Sequence, residues 1–540
     1  MNDEVFSNDP ERFVKIFNYS KHILNFKLDY KINSRNKIKV IPMRSIFIII
    51  MIAYSLSAIA QPTDSIRQKR EEAVSALIMS IENTYVDQYR GCSKHEWEER
   101  KKEIYLKVDS CKTDKEYYLT LSYLGLLIDD VHFGYDFYNY TDLGVFNNSD
   151  IVFPIHIKSW QKDGRLFVDK DYSETIPSNA EIIFINGLSA QALSKRFHKI
   201  NTSEERFAYY QEDHHPRSLF SFMNYLSCER IEAPYEIEYI LPDKITLSKV
   251  TLSGKTRKEM YKYVPHFKGF GKPSAYTKID DTIGVLKISS FSGFSMLKLV
   301  YMAITQKMNN NDKRFVRSIN SSIKQLAAHS PDNLIIDIRG NGGGSMENVA
   351  YAMSFLSNKR IKNRNYFRIS DENRTHLKSV LVQRYDGHES LPHILSMVDT
   401  IKSGSYLDLD STFQAKSNAD TLSGSKYIFN GKVYLLCDGG CNSAAILFVN
   451  AFKALNVGLL VGSSPGGYNV VTTGESYRKV KSKIFMSIPF GYINPSEKQE
   501  YIKMDYPIEP RLDEWVNNND LSLPRLIEAI KNGDICNVSK

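Results

Sequence analysis

The stretch LIIDIRGNGGGSMEN, residues 334–348, constrains this chain more than any other. A strand-type run, residues 334–338, apolar but for Asp337, goes straight into Arg339-Gly340-Asn341 and three consecutive glycines, Gly342, Gly343 and Gly344. A helical pattern opens at Ser345, with Met346, Val349, Ala350 and Met353 on one spacing. A strand handed to a helix through a glycine turn is the repeating unit of an α/β layer. Glycines let backbone N–H groups approach a ligand closely, and a helix N-terminus favours negative charge. Such a turn suits a phosphate cradle, an oxyanion hole, or nothing beyond a tight connection. A phosphate loop would need Gly-Lys-Ser/Thr after the glycines, and none is there. The dinucleotide spacing fails too, because Ser345 stands where the third glycine belongs.

A second junction of the same kind lies about a hundred residues on. Residues 433–436 are an apolar strand, followed by Cys437-Asp438-Gly439-Gly440-Cys441-Asn442-Ser443 and then a strongly apolar helix from Ala444 to about Leu455. Ser443 at this corner admits two readings. It caps the helix, as serines often do, or it is a nucleophile whose oxyanion is held by the first helical N–H groups.

Taken together and in order, these segments resemble the C-terminal processing and tricorn-core serine peptidases. That family's first element, Asp-x-Arg-x-Asn-x-Gly-Gly, is complete here as Asp337, Arg339, Asn341, Gly343 and Gly344. Its nucleophile turn matches Ser443-Ala444-Ala445, with Ile446 in place of a glutamate, and its Val-Gly strand end matches Val461-Gly462. The processing branch takes a lysine as base from a turn where this chain has Gly467-Tyr468-Asn469. The tricorn branch takes a histidine far upstream, in a Leu-x-Asp-x-His segment that residues 126–134, LLIDDVHFG, resemble. A histidine is also the better physical base for a serine hydroxyl near neutral pH.

The resemblance therefore implies Ser443 as nucleophile, His132 as base, and Gly342, Gly343 and Ala444 as oxyanion donors, with Asp337, Arg339 and Asn341 as structural residues of the motif. For the acid that orients the histidine, residues 504–510, MDYPIEP, look like the family's closing segment; Asp505 is the expected acid, with Glu500 the substitute. The implied fold is α/β with a crotonase-like catalytic core over 275–525. An N-terminal helical region is expected over 61–145. Over 150–265 a PDZ-like, β-rich insert is expected, because the apolar strand ending in Ile185-Asn186-Gly187 and followed by a helix is its cue. PDZ-type modules take extended peptides by strand addition, although no Gly-Leu-Gly-Phe carboxylate loop is evident.

The front of the chain reads as a targeting device. Met43-Arg44 precedes a short apolar run and a small-x-small site at Ala58-Ile59-Ala60. Residues 43–60 are thus expected to be a signal peptide cleaved before Gln61, and 1–42 an upstream extension outside the true start. The apolar run falls short of the roughly 20 residues that span a bilayer, so no stable membrane anchor is expected. Six cysteines are too few for a disulfide scaffold, yet export permits bridges, and Cys92 and Cys111 are placed to pair. No Cys/His cluster has metal-ligand spacing, so neither metal nor cofactor is expected. A net charge of +8 over 540 residues, without a basic-aromatic patch, excludes a nucleic-acid footprint.

These readings converge on an exported serine endopeptidase acting on unfolded or extended polypeptides. A catalytically inactive binding protein on the same fold is the alternative, since Ile446, Tyr468 and the drifted acidic segment depart from the family pattern. An acyl-CoA enzyme fits less well, because CoA thioesters are intracellular.

Overall fold

Alternating strands and helices in the last half of the chain build one mixed sheet in the structure, a computed structural model that describes residues 64–130, 132–137, 145–160, 162–201, 209–211, 221–263, 271–293, 313–359, 364–385, 387–409, 427–472, 476–481, 484–494 and 500–537. The leader and cleavage site expected before Gln61 lie outside the described residues. From Pro62 onward the chain is a single unit.

The N-terminal region is helical: α1 (Asp64–Thr84), α2 (Lys94–Asp109), a short helix Asp114–Thr120 and a 3-10 stretch Leu121–Leu127. Val74, Leu77, Ile78 and Ile81 recur at helical spacing and are all buried, which holds α1 in place by its apolar stripe. A Ser93–Glu96 capping box starts α2 by satisfying two of its orphan N–H groups. The 3-10 stretch is buried along its whole length and delivers the loop that carries His132. That loop runs into β1 (Gly134–Phe137), which pairs antiparallel with Ile484–Pro489.

The middle of the chain is β-rich: β2 (Ile155–Trp160), β3 (Arg165–Asp171), β4 (Glu181–Ile185), β5 (Tyr235–Ile240) and β6 (Leu247–Leu252) neighbour one another in that order, and Tyr209–Gln211 lies along the free edge of β2. Helix α3 (Ala190–Ile200) packs on β3 and β4. The apolar run over residues 151–157 is broken into two strands, because Pro154 has no N–H to give a ladder.

The core sheet runs β7 (Ser274–Lys278), β8 (Ile283–Ile288), β9 (Asn333–Asp337), β10 (Lys432–Cys437), β11 (Leu459–Gly462) and finally Tyr506–Pro507. Only β7 is antiparallel to its neighbour. On one face Leu286, Leu334, Ile336 and Leu435 meet α4 (Lys313–His329), α5 (Met346–Met353) and α6 (Ala444–Ala454). On the other, Val285, Ile335, Leu436 and Val461 meet Leu526 and Ile530 of a C-terminal helix. Burial on both faces explains why β9 reads as an unbroken apolar run. Each fully buried Leu or Ile there contributes about 1.5–3 kcal/mol.

The paired register places Asp337 beside Leu436, so β9 and β10 end side by side. Their two glycine-rich turns therefore emerge together at the carboxyl ends of adjacent parallel strands, where open α/β sheets place their sites. Cys92 and Cys111, which could have paired, are both free thiols, and Cys111 Sγ donates to the Lys107 carbonyl at 3.2 Å.

Candidate active site

Loop anchorage comes first, because it explains the motif residues. Arg339 donates to both carboxylate oxygens of Asp337, at 2.9 and 2.8 Å, and also reaches Asp520. Burial alone would lower the Arg339 pKa, but the hydrogen bonds and charge of Asp337 outweigh it and raise it. Asn341 Nδ2 donates to the Ile288 carbonyl at 2.9 Å, while its Oδ1 accepts the Gly343 N–H at 2.9 Å. Across the gap, the Asn442 N–H donates to the Asn341 carbonyl at 3.1 Å, and Asp438 accepts from both Gly340 and Gly440. Asn341 and Asp438 thus fasten the two turns together, while the Asp337–Arg339 pair ties the first turn to Asp520.

Ser443 occupies the N-cap position of α6, but its hydroxyl caps nothing. Its backbone sits at φ 52°, ψ −121°, a region a side chain rarely tolerates, which turns the hydroxyl outward. Gly343 lies against it so closely that a Cβ on Gly343 would come within 2.8 Å of Ser443 Cβ. The Ser443 hydroxyl meets His132 Nε2 at 2.9 Å, across 311 residues of sequence. Two of the three expected oxyanion donors keep free N–H groups: Gly342 and Ala444 have no intramolecular acceptor among the described residues. Gly343 does not, because its N–H is taken by Asn341.

The other side of the imidazole holds groups that the sequence did not single out. His132 Nδ1 lies 2.6 Å from Thr472 Oγ1 and 3.3 Å from Asp130 Oδ1. Asp130 also accepts the His132 backbone N–H at 2.8 Å and faces the Tyr85 hydroxyl at 3.2 Å. Burial pushes the Asp130 carboxyl up, but its bond to His132 and the charges of His132 and Arg90 more than reverse this and hold it below the usual carboxylate range.

Neither expected acid reaches the histidine. Asp505 Oδ2 accepts the Leu460 N–H at 2.8 Å and fastens the entry to β11, and the Glu500 backbone pairs with Asn469. Asp130 was visible in the LLIDDVHFG segment, but spacing alone did not say which acid faces the ring. Thr472 gave no signal, since it stands in the two-residue strand β12 (Val471–Thr472). Tyr468, at the position of the processing branch's lysine, stacks on Tyr501 with centroids 4.3 Å apart, and the Arg90 guanidinium lies over its ring.

No cluster of His, Cys, Asp and Glu among the described residues could hold a metal ion, and no described helix is long and apolar enough to cross a membrane. What the arrangement can do is deprotonate a buried-corner serine and stabilise the anion its attack creates.

Residues 282–508 match the model of peptidase family S41. No curated protein matches the sequence. Three solved structures share the fold: a serine-to-alanine mutant of CPAF (TM-score 0.56, 13% identity, covering 88% of this chain and 99% of that one), mature CPAF (0.51, 14%, 87% and 97%) and mature CPAF complexed with lactacystin (0.53, 13%, 88% and 100%).

Proposed function

We propose that this chain, whose residues 282–508 match the model of peptidase family S41, is an exported serine-type endopeptidase that cleaves extended or unfolded polypeptides with Ser443 as nucleophile and His132 as base. The observation that carries this reading is the 2.9 Å hydrogen bond between Ser443 Oγ and His132 Nε2, beside two backbone N–H groups with no acceptor among the described residues. Ser443 Oγ attacks the scissile carbonyl as its proton passes to His132 Nε2. The carbonyl oxygen, now anionic, is held by the N–H groups of Ala444 and Gly342. His132 then protonates the departing amine, the C–N bond breaks, and an acyl-serine remains. Water, deprotonated by the same nitrogen, releases the acid and restores the hydroxyl.

Extended substrates are inferred from the β-rich middle region, whose strand–Asn–Gly–helix order resembles a PDZ-like module, and export from the leader read at residues 43–60. The test uses the mature protein with casein and a fluorophosphonate probe. Wild type is expected to cleave casein and to be labelled at Ser443, whereas Ser443→Ala does neither while keeping its fold. If both proteins are equally inert over a range of pH, the peptidase assignment fails and the binding-protein alternative takes its place.

A further inference from the structure

A serine hydroxyl loses its proton to a histidine only if the facing nitrogen carries a lone pair. The tautomer is therefore decided on the far side of the ring, at Nδ1. Two groups stand there, Asp130 and Thr472, and their distances differ: 3.3 Å from Nδ1 to Asp130 Oδ1, against 2.6 Å to Thr472 Oγ1. Thr472 Oγ1 in turn lies 2.9 Å from Asp130 Oδ1, as donor.

We propose that Thr472 and Asp130 are positioning residues that act in series: the Asp130 carboxylate takes the Thr472 hydroxyl proton, and the Thr472 oxygen takes the His132 Nδ1 proton. A hydroxyl has one proton to give. Asp130, as a carboxylate, can only accept. Once Thr472 donates to it, the only role left to the threonine oxygen towards His132 is acceptor, which fixes the proton on Nδ1 and leaves Nε2 bare towards Ser443. When His132 takes the serine proton, the new positive charge is answered through the same hydroxyl by the Asp130 anion. This rests on the peptidase reading and replaces the role expected of Asp505.

The surroundings keep Asp130 an anion. It is fully buried, yet accepts from the His132 N–H, Thr472 and the Tyr85 hydroxyl. Tyr85 remains a donor, because burial and then the Asp130 charge push its pKa well above the usual value. The neighbouring cation is Arg90, which donates to the Val470 carbonyl at 3.2 Å; Asp87 and Asp129 are the other charged groups nearby. Three elements meet in this chain of bonds: the C-terminal end of α1 through Tyr85, the loop before β1, and β12.

The test compares kcat/KM across pH, together with thermal stability, for the full mature protein and its Thr472→Val, Thr472→Ser and Asp130→Asn variants, with Ser443→Ala as reference. Valine keeps the branched shape of threonine and puts a methyl where the hydroxyl was. Thr472→Val is expected to lose about 100-fold in kcat, within the range one positioned acid–base group supplies, with KM little changed. The acid limb of its profile moves to lower pH, because the anion no longer supports a protonated ring. Thr472→Ser restores the hydroxyl and is expected to recover to within about threefold of wild type. A role in packing alone predicts the opposite: a lower melting temperature with kcat and the acid limb unchanged. Wild-type kinetics in Thr472→Val, or equal impairment of the serine and valine variants, overturns the proposal. If Asp130→Asn fails to fold, the Thr472 pair still decides. If wild type and Ser443→Ala are equally inert, it is the peptidase reading that falls.

Discussion

Gly343→Ala isolates the contact on which the reacting corner depends. Gly343 has φ +108°, and an added Cβ would stand 2.8 Å from Ser443 Cβ and 2.9 Å from both the Ala444 nitrogen and the Asn442 oxygen. Ordinary contact begins at 3.4 Å, so the Ser443 corner must retreat by several tenths of an ångström. None of the three atoms lies at the end of a flexible side chain, so no rotamer relieves the clash. The alanine adds a backbone cost of about 1–3 kcal/mol at this φ, well inside the 5–15 kcal/mol that holds a typical domain folded. Moving Ala444 takes its N–H off the oxyanion, and loss of one such donor costs about 2.7–4 kcal/mol, or 10²–10³ in kcat. The expected outcome is a folded protein with kcat down by that factor. Gly340→Ala is the control: Gly340 also has positive φ (+70°), but no atom lies within 4 Å of its added Cβ, so it should lose some stability and keep its rate. Steady-state kinetics on a fluorogenic peptide, fluorophosphonate labelling rates and melting curves on both variants make the measurement. A Gly343→Ala enzyme with wild-type kcat, or a Gly340→Ala enzyme equally slowed, would refute the reasoning.

His132→Ala should slow hydrolysis by about 10²–10⁴-fold, while replacing Lys479 or Lys481 should change little; the reverse pattern in the same assay would restore a lysine base. Asp505→Asn should leave kcat within a few-fold of wild type and cost about 1 kcal/mol by weakening its bond to the Leu460 N–H, which kinetics and urea denaturation separate. His198 donates to or accepts from Ser159 at 2.8 Å and is held neutral by burial, with its pKa lowered to about 3. Because the unfolded chain protonates this histidine near pH 6.5 and the folded one does not until about pH 3, its contribution to stability is full above 6.5. Between those values it falls by about 1.4 kcal/mol per pH unit; His198→Gln should flatten that part of the stability curve. N-terminal mass spectrometry of the exported form should find Gln61, and an intact Met1 would remove the case for a leader at 43–60.

Much of the site was legible because its residues sit beside their own signals. Ser443 and Gly342 each lie at a strand-to-helix corner, and an apolar run before a glycine turn announces such a corner whatever surrounds it. His132 needed the whole LLIDDVHFG segment, and it lies outside the span 282–508 that the family model matches. The orienting groups were not legible, for a geometric reason. Thr472 is 340 residues from His132 and stands in a strand of two residues, so no periodicity marks it. Asp505 misled because an acid near the end of the core looks alike whether it faces a ring or, as here, satisfies a strand's N–H. Gly343 misled in a similar way: a glycine turn promises free N–H groups, but the Asn341 side chain takes one of them. Both corrections turn on where a hydrogen bond goes, which a linear pattern does not record.

The separation of 311 positions between His132 and Ser443 also bears on the order of events during synthesis. On the mechanism proposed above, a chain made from its N-terminus holds its base, His132, and the tyrosine that follows α1 long before its nucleophile exists. Until β10 has docked beside β9 and β12 has closed on the histidine, neither half has chemistry of its own. On that same mechanism an unfinished chain cannot cut itself, because the ability to cut arrives only with the completed fold.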